Sequence, residues 1–96
     1  MRLTTEEQQQ IKTIIAANFG EDAEIWLFGS RVDDKKRGGD VDLYVVPKQQ
    51  DDLFHKRVNC LGRLEDRLLY PVDLVVHETG RDLAIYRIAQ KTGVRL

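Results

Sequence analysis

Cysteine is nearly missing from this sequence: Cys60 stands alone, so no internal disulfide can form and a disulfide-stapled fold is excluded. No apolar run approaches membrane-spanning length, and the polar start MRLTTEEQQQ has no apolar signal-peptide core. A soluble cytoplasmic chain, off the membrane, is the expectation. Neither sign of charge dominates, since fifteen basic residues face sixteen acidic ones for a net charge of −1. Such a balance generates no field that would hold a long polyanion, so no nucleic-acid polymer is expected as a partner. Repeats, linkers and low-complexity tracts are all missing. With 96 residues the chain has room for one modest core, and a domain of this size buries only about 60–65% of its unfolded surface. Residues 1–96 are therefore expected to be a single domain without a separate substrate-binding domain.

What is present falls into alternating elements. Thr4 stands three residues before Glu7, the spacing of a capping box, and Ile11, Ile14, Ile15 and Phe19 then recur at helical intervals up to Gly20. Glu24–Phe28 is short, aromatic and β-branched, which suits a strand running straight into Gly29-Ser30. The polar stretch from Arg31 to Gly39 reads as a loop or short helical turn. Asp40–Val46 reads as a second strand, ended by Pro47. From about Asp51 to Tyr70 the residues Phe54, Val58, Leu61, Leu64 and Leu68 form one helical stripe, with Pro71 as the stop. Val72–Val76 makes a third strand. A last helix over roughly Arg81 to Lys91 should turn Leu83, Ile85, Ile88 and Ala89 inward before Gly93 caps it. The order is α-β-β-α-β-α.

The chemistry is concentrated in a few acids. Asp40 and Asp42 are two apart in a strand, so both leave one face with their backbones about 6–7 Å apart. Paired carboxylates on a rigid element repel each other, and they suit magnesium, which takes hard oxygen ligands and keeps positions for water and phosphate. Two such ions about 3.5–4 Å apart can clamp the attacking and leaving oxygens of an in-line phosphoryl displacement. Asp73 lies near the start of the third strand and would complete a three-carboxylate site if that strand neighbours the second. Buried and unpaired, it would cost several kcal/mol, so a ligand or partner is implied for it. Gly29 and Ser30 follow a strand directly, where backbone amides and a hydroxyl can meet an anion. Arg31 and the Lys35-Lys36-Arg37 cluster could neutralise triphosphate charge, or be a solvated loop face.

Taken together, FGSRVDDKKRGGDVDLYV followed by an Asp inside an apolar strand resembles the polymerase-beta-type nucleotidyltransferases, and the chain length is similar to that of their minimal members, the antitoxins of MNT/HEPN pairs. The likeness spans essentially the whole chain. It implies an α+β (mixed α/β) fold of that superfamily: a small mixed sheet of at least three strands, helices on one face and the acids on the open face. It also implies transfer of a nucleoside monophosphate, AMP from ATP with Mg2+ (two ions), to an acceptor hydroxyl. By that resemblance Gly29 and Ser30 bind the nucleotide's phosphates, where the charge of Arg31 would join them, Asp40 and Asp42 bridge metal, and Asp73 is the third ligand and base. Many relatives have serine before the first acid, where Gly39 stands here. The acceptor implied is a tyrosine of a HEPN-domain partner in a hetero-oligomer. The alternatives are a binding module that neutralises a partner without turnover, and transfer to a small molecule. Since so small a domain lacks an acceptor-binding module, its free sheet face and an open sheet edge are where another chain would join.

The remaining polar and aromatic residues have plainer readings beside functional ones. His77, after the third strand, is either a general base, a metal ligand or a partly buried strand-end residue. Cys60 lies beside the apolar stripe of its helix and reads as a small buried hydrophobe. Trp26 and Phe28 alternate with Leu27 and read as core. Tyr44 shares a strand face with Asp42, so it either touches a nucleotide or packs beside the site.

Overall fold

The computed structural model describes residues 3–29 and 40–96. The elements are α1 (Thr5–Phe19), β1 (Glu24–Phe28), β2 (Val41–Val46), α2 (Leu53–Leu68), β3 (Val72–Val76), α3 (Ala84–Thr92) and β4 (Val94–Arg95). The capping box forms as the sequence requires: Thr4 Oγ1 accepts from Glu7 N–H at 3.0 Å, and Glu7 Oε1 accepts from Thr4 N–H at 2.9 Å. The strands line up in the order β3-β2-β1-β4. β1 runs antiparallel to both β2 and β4, while β2 and β3 are parallel, joined by the crossover through α2 that a parallel pair needs. Among the described residues no helix is long and apolar enough to cross a membrane.

One face of the sheet carries the main core. Ile25, Leu27, Val41, Leu43, Val45, Val72 and Leu74 meet Ile11, Ile15 and Phe19 of α1 and Cys60, Leu64 and Leu68 of α2. The two long helices on one face are as expected. The short α3 lies on the other face, where Tyr86 and Ala89 pack with Phe28 and Tyr44. That leaves only part of the second face open.

Both later helices bury most of the apolar residues expected to face inward, Leu61, Leu64 and Leu68 in α2 and Leu83, Ile85 and Ala89 at α3, and each leaves part of its expected stripe in solvent. In α2 the buried line is Cys60, Leu64 and Leu68, with Leu53 partly buried, and Phe54 and Val58 are 71% and 52% exposed. Arg57, half-buried on the same line as Leu53, Cys60 and Leu64, donates from Nε to the Leu74 carbonyl at 2.8 Å. In α3 the inward residues are Tyr86 and Ala89, whereas Ile88 is half exposed. Gly93 does end α3, its N–H bonded to the Ala89 carbonyl at 2.9 Å, and a Cβ there would overlap the Ala89 and Leu27 carbonyls. Its close approach lets β4 add to the sheet, a strand of two residues that has no sequence periodicity to announce it.

Part of the β3 edge is already engaged within the chain. Arg57 covers the Leu74 carbonyl, Glu65 Oε2 accepts from Val72 N–H at 3.0 Å, and the Tyr86 hydroxyl donates to the Val76 carbonyl at 3.4 Å. These three groups are thereby withdrawn from pairing with a further strand.

The corrected face of α2 is testable. Leu64→Ala should cost about 2–5 kcal/mol, a large part of the roughly 5–15 kcal/mol that holds a domain of this kind together. Phe54→Ser should change stability by no more than about 0.5 kcal/mol. Urea unfolding of both variants decides; equal losses would restore the stripe suggested by sequence.

Candidate active site

The alternation of β2 sets the site. Val41, Leu43 and Val45 are fully buried in the main core, so Asp42 and Tyr44 leave the opposite face. Parallel pairing puts Asp42 level with Asp73, and antiparallel pairing puts Phe28 on its other flank. Asp40 stands one residue ahead of β2 rather than within it. The Val41 N–H donates to the Pro71 carbonyl at 3.0 Å, which fastens the start of β2 to the segment leading into β3. The condition for a three-acid site, that the second and third strands be neighbours, is met.

The electrostatics follow from this crowding. The Asp42 carboxyl is raised above its ordinary value of 3.8, first by burial and then by the charges of Asp73 and Asp40. Buried Phe28 stands opposite Asp42, a neighbour that only the β1–β2 register reveals. Asp73, however, is exposed, as is Asp40. The expected penalty for burying Asp73 therefore does not arise, and its alignment with Asp42 is what marks it. Asp40 and Asp42 offer hard carboxylate oxygens of the kind magnesium accepts. Among the described residues no three His, Cys, Asp or Glu side chains are gathered into a metal site by themselves. Magnesium needs only one or two carboxylates when phosphate oxygens and water supply the rest, so the donor set fits that ion together with a nucleotide.

Gly29 has a structural reason beyond anion approach. Its φ is +76°, and a Cβ there would overlap Oδ2 of Asp42. The turn after β1 thus presses its backbone directly against the central acid. Ser30 and Arg31, the other residues expected to bind nucleotide, lie outside the described residues, as does the Lys35-Lys36-Arg37 cluster.

Two residues along β2 from Asp42 the face closes. Tyr44 is 1% exposed, its ring 5.4 Å from Tyr86 and 5.7 Å from Trp26, and its hydroxyl is 2.8 Å from Nδ1 of His77. Burial pushes the Tyr44 phenol up to about 12, with Tyr86 and Glu24 adding to it, so the phenol stays protonated. Packing beside the site, not nucleotide contact, is therefore its role. His77 is half-buried, its ring 4.6 Å from Tyr86 and its N–H bonded to the Val45 carbonyl at 2.8 Å. Four strand residues, about 13 Å, separate it from Asp73, too far to share a metal or a proton with the acids. Cys60 is fully buried and its thiol is pushed up to about 12 by burial, which leaves it unreactive.

Residues 9–95 match the sequence profile of the family described as polymerase beta, nucleotidyltransferase. The chain belongs to this family. No curated protein matches the sequence. Solved structures with the same fold include the tri-AMPylated Shewanella oneidensis HEPN toxin in complex with MNT antitoxin, 20% identical over 97% of this chain and 71% of the matched one, with a TM-score of 0.75. Two variants of the MntA-HpeT toxin–antitoxin align over 93% of this chain. They cover 69% and 70% of theirs, at 22% and 21% identity and TM-scores of 0.73 and 0.75. This nucleotidyltransferase fold, three helices on a four-stranded mixed sheet among the described residues, is the architecture the chain adopts.

Two predictions rest on this geometry. A raised carboxyl holds its proton more tightly in the folded than in the unfolded chain, so its contribution to stability is complete below 3.8 and is lost as pH rises through the folded value. In chelator, Asp42→Asn should therefore melt at a higher temperature than wild type at neutral pH, with the gap closing in acid below that value. Thermal melts across pH check this, and equal melting at pH 7 would contradict it. Gly29→Ala should lose about 1–2 kcal/mol from its left-handed backbone alone and also bind magnesium-ATP more weakly, because the new methyl displaces the Asp42 carboxylate. Denaturant unfolding and calorimetry measure the two losses.

Proposed function

We propose that residues 1–96 form a single minimal nucleotidyltransferase domain that transfers AMP from ATP to a tyrosine hydroxyl of a HEPN-domain partner, acting in the cytoplasm as the antitoxin of the pair. The observation that carries this reading is the alignment of Asp42 with Asp73, with Asp40 beside them and Gly29 against Asp42, in a chain of this family. The related folds add support. One is described as a complex whose HEPN toxin is tri-AMPylated, and another toxin–antitoxin pair was solved with two aspartates, two residues apart, replaced by glutamate. That spacing is the spacing of Asp40 and Asp42.

In this reading Asp40 and Asp42 would hold Mg2+, two ions in all with Asp73 as third ligand, and Gly29, Ser30 and Arg31 would receive the triphosphate. Magnesium, when bound, neutralises phosphate charge and favours attack at the α-phosphorus. The chain's own contribution is placement. The acceptor oxygen forms a bond to the α-phosphorus, the bond to the bridging oxygen of the β-phosphate breaks, and pyrophosphate leaves in line. Asp73, exposed and level with Asp42, takes the hydroxyl proton and passes it to water. Because the aromatic layer around Tyr44 closes the face behind Asp42, substrate and acceptor must approach from the acid end.

Co-expression with a HEPN protein followed by intact-mass measurement of that protein is the test. Added mass of one or more AMP units, absent with Asp42→Asn, is expected. An unmodified partner bound and inactivated equally well by Asp42→Asn would replace this reading with that of a neutralising binding module.

A further inference from the structure

The sheet face that carries the acids has an apolar border left partly uncovered. Val75 lies two residues along β3 from Asp73, hence on the same face, and is half-buried beside the aromatic layer. The same face carries α3. Tyr86 and Ala89 take the inward line of that helix, while Ile85 is half-buried, Ile88 is 50% exposed and Thr92 is exposed. Spaced by three and then four residues, Ile85, Ile88 and Thr92 make one flank of α3, and Leu83 and Gln90 stand on the other.

The path of α3 decides which flank meets the acids. The helix starts beside the far end of β3, where the Tyr86 hydroxyl accepts from the Glu78 N–H at 3.1 Å and donates to the Val76 carbonyl. It ends at Gly93, where a Cβ would lie 3.3 Å from Cβ of Phe28, the residue paired with Asp42. On its way from β3 to β4 it therefore climbs toward the acid end. β3 and β4 are parallel, since each runs opposite to β1, and a connection between parallel strands of one sheet is right-handed. A right-handed helix on that path turns Ile85, Ile88 and Thr92 toward Asp42 and Asp73, and Leu83 and Gln90 away from them. Only about 7–8 Å of helix separates Ile88 from Gly93, and neighbouring strands are about 4.8 Å apart. The flank thus stands within a nucleotide's reach of the acids.

The chemistry of that flank says what it holds. A nucleotidyltransferase keeps the α-phosphate at its acids, and with the other phosphates directed to Gly29 the nucleoside has to extend along the open part of the same face. Tyr44 closes the floor there, and the Thr92 hydroxyl is spent on the Ile88 carbonyl at 2.7 Å, so methyl and methylene groups are what the flank offers. Such a surface matches the apolar face of a base and none of its polar edges. We propose that the flank of α3 centred on Ile88, with Val75 beside it, is the wall against which the base of the nucleoside triphosphate packs; this rests on the acids being the nucleotide site. It supplies affinity for the base and none for the triphosphate.

Calorimetry with magnesium-ATP and with magnesium-tripolyphosphate, which lacks base and sugar, separates the two contributions in wild type, Ile88→Ser and Ile88→Leu. Ile88→Ser should weaken magnesium-ATP about fivefold, leave tripolyphosphate binding unchanged and melt close to wild type, because its site is half exposed. Ile88→Leu should keep the affinity for magnesium-ATP. Unaltered binding of magnesium-ATP by Ile88→Ser overturns the wall and leaves the acid site standing, and a raised KM for a protein acceptor in that variant would then assign the flank to the acceptor instead. Equal weakening of both ligands also overturns it, as a distortion of the whole site. If wild type binds neither ligand, the reading of the acids as the nucleotide site falls as well.

Discussion

The parallel pairing of β2 with β3 is the constraint on which the acid end of the molecule depends. Like charges placed side by side across two strands weaken a sheet, and Asp42 beside Asp73 is such a placement. The pairing holds because the reverse face of the same strands carries Val41, Leu43, Val45, Val72 and Leu74, all in the main core. A slip of one residue would turn that apolar set to the opposite face, so the core fixes the register and the register fixes the acids. The repulsion is thus sustained by packing on the other side of a single layer.

The same sheet face is divided along its length. Toward β3's end, Trp26, Tyr44, Tyr86 and His77 form a layer with its hydroxyls and ring nitrogen engaged, under the cover of α3. Toward its start, Asp40 and Asp73 stand in solvent. Asp42 lies at the border, paired across the strands with buried Phe28, and burial is the first cause of its raised carboxyl and charge the second. An acid at such a boundary is dry enough to feel its neighbours strongly and wet enough to be reached.

How much of this can be read from residues alone depends on whether the deciding interaction is local. The second strand begins at Val41 and leaves Asp40 just ahead of it, whereas Thr4 with Glu7 and the strands Glu24–Phe28 and Val72–Val76 depend on near neighbours and stand as the sequence suggests. Helix orientation does not. Counting apolar residues in α2 favours Phe54 and Val58, but the inward line includes Arg57, whose guanidinium finds a carbonyl only after β3 has packed beneath it. The two-residue β4 exists only because Gly93 can approach Leu27 and Phe28 closely. In the site, Asp73 is recognisable as an acid in an apolar strand, whereas its exposure, its partner Asp42 and the pressure of Gly29 on that partner all arise from pairing between distant segments.

The side chains that Arg57 and Glu65 extend to β3 have a consequence for how this molecule can grow into anything larger. With Val72 N–H and the Leu74 carbonyl already satisfied by α2, a strand from another copy added on that side would have to displace both bonds, which makes a continuous ribbon of stacked chains harder to start there. Helix and strand are coupled in this respect, since any fraying of α2 that frees Arg57 and Glu65 uncovers a sticky rim along with the oily surface beneath. Resistance to polymerisation along β3 is therefore a property of an intact α2.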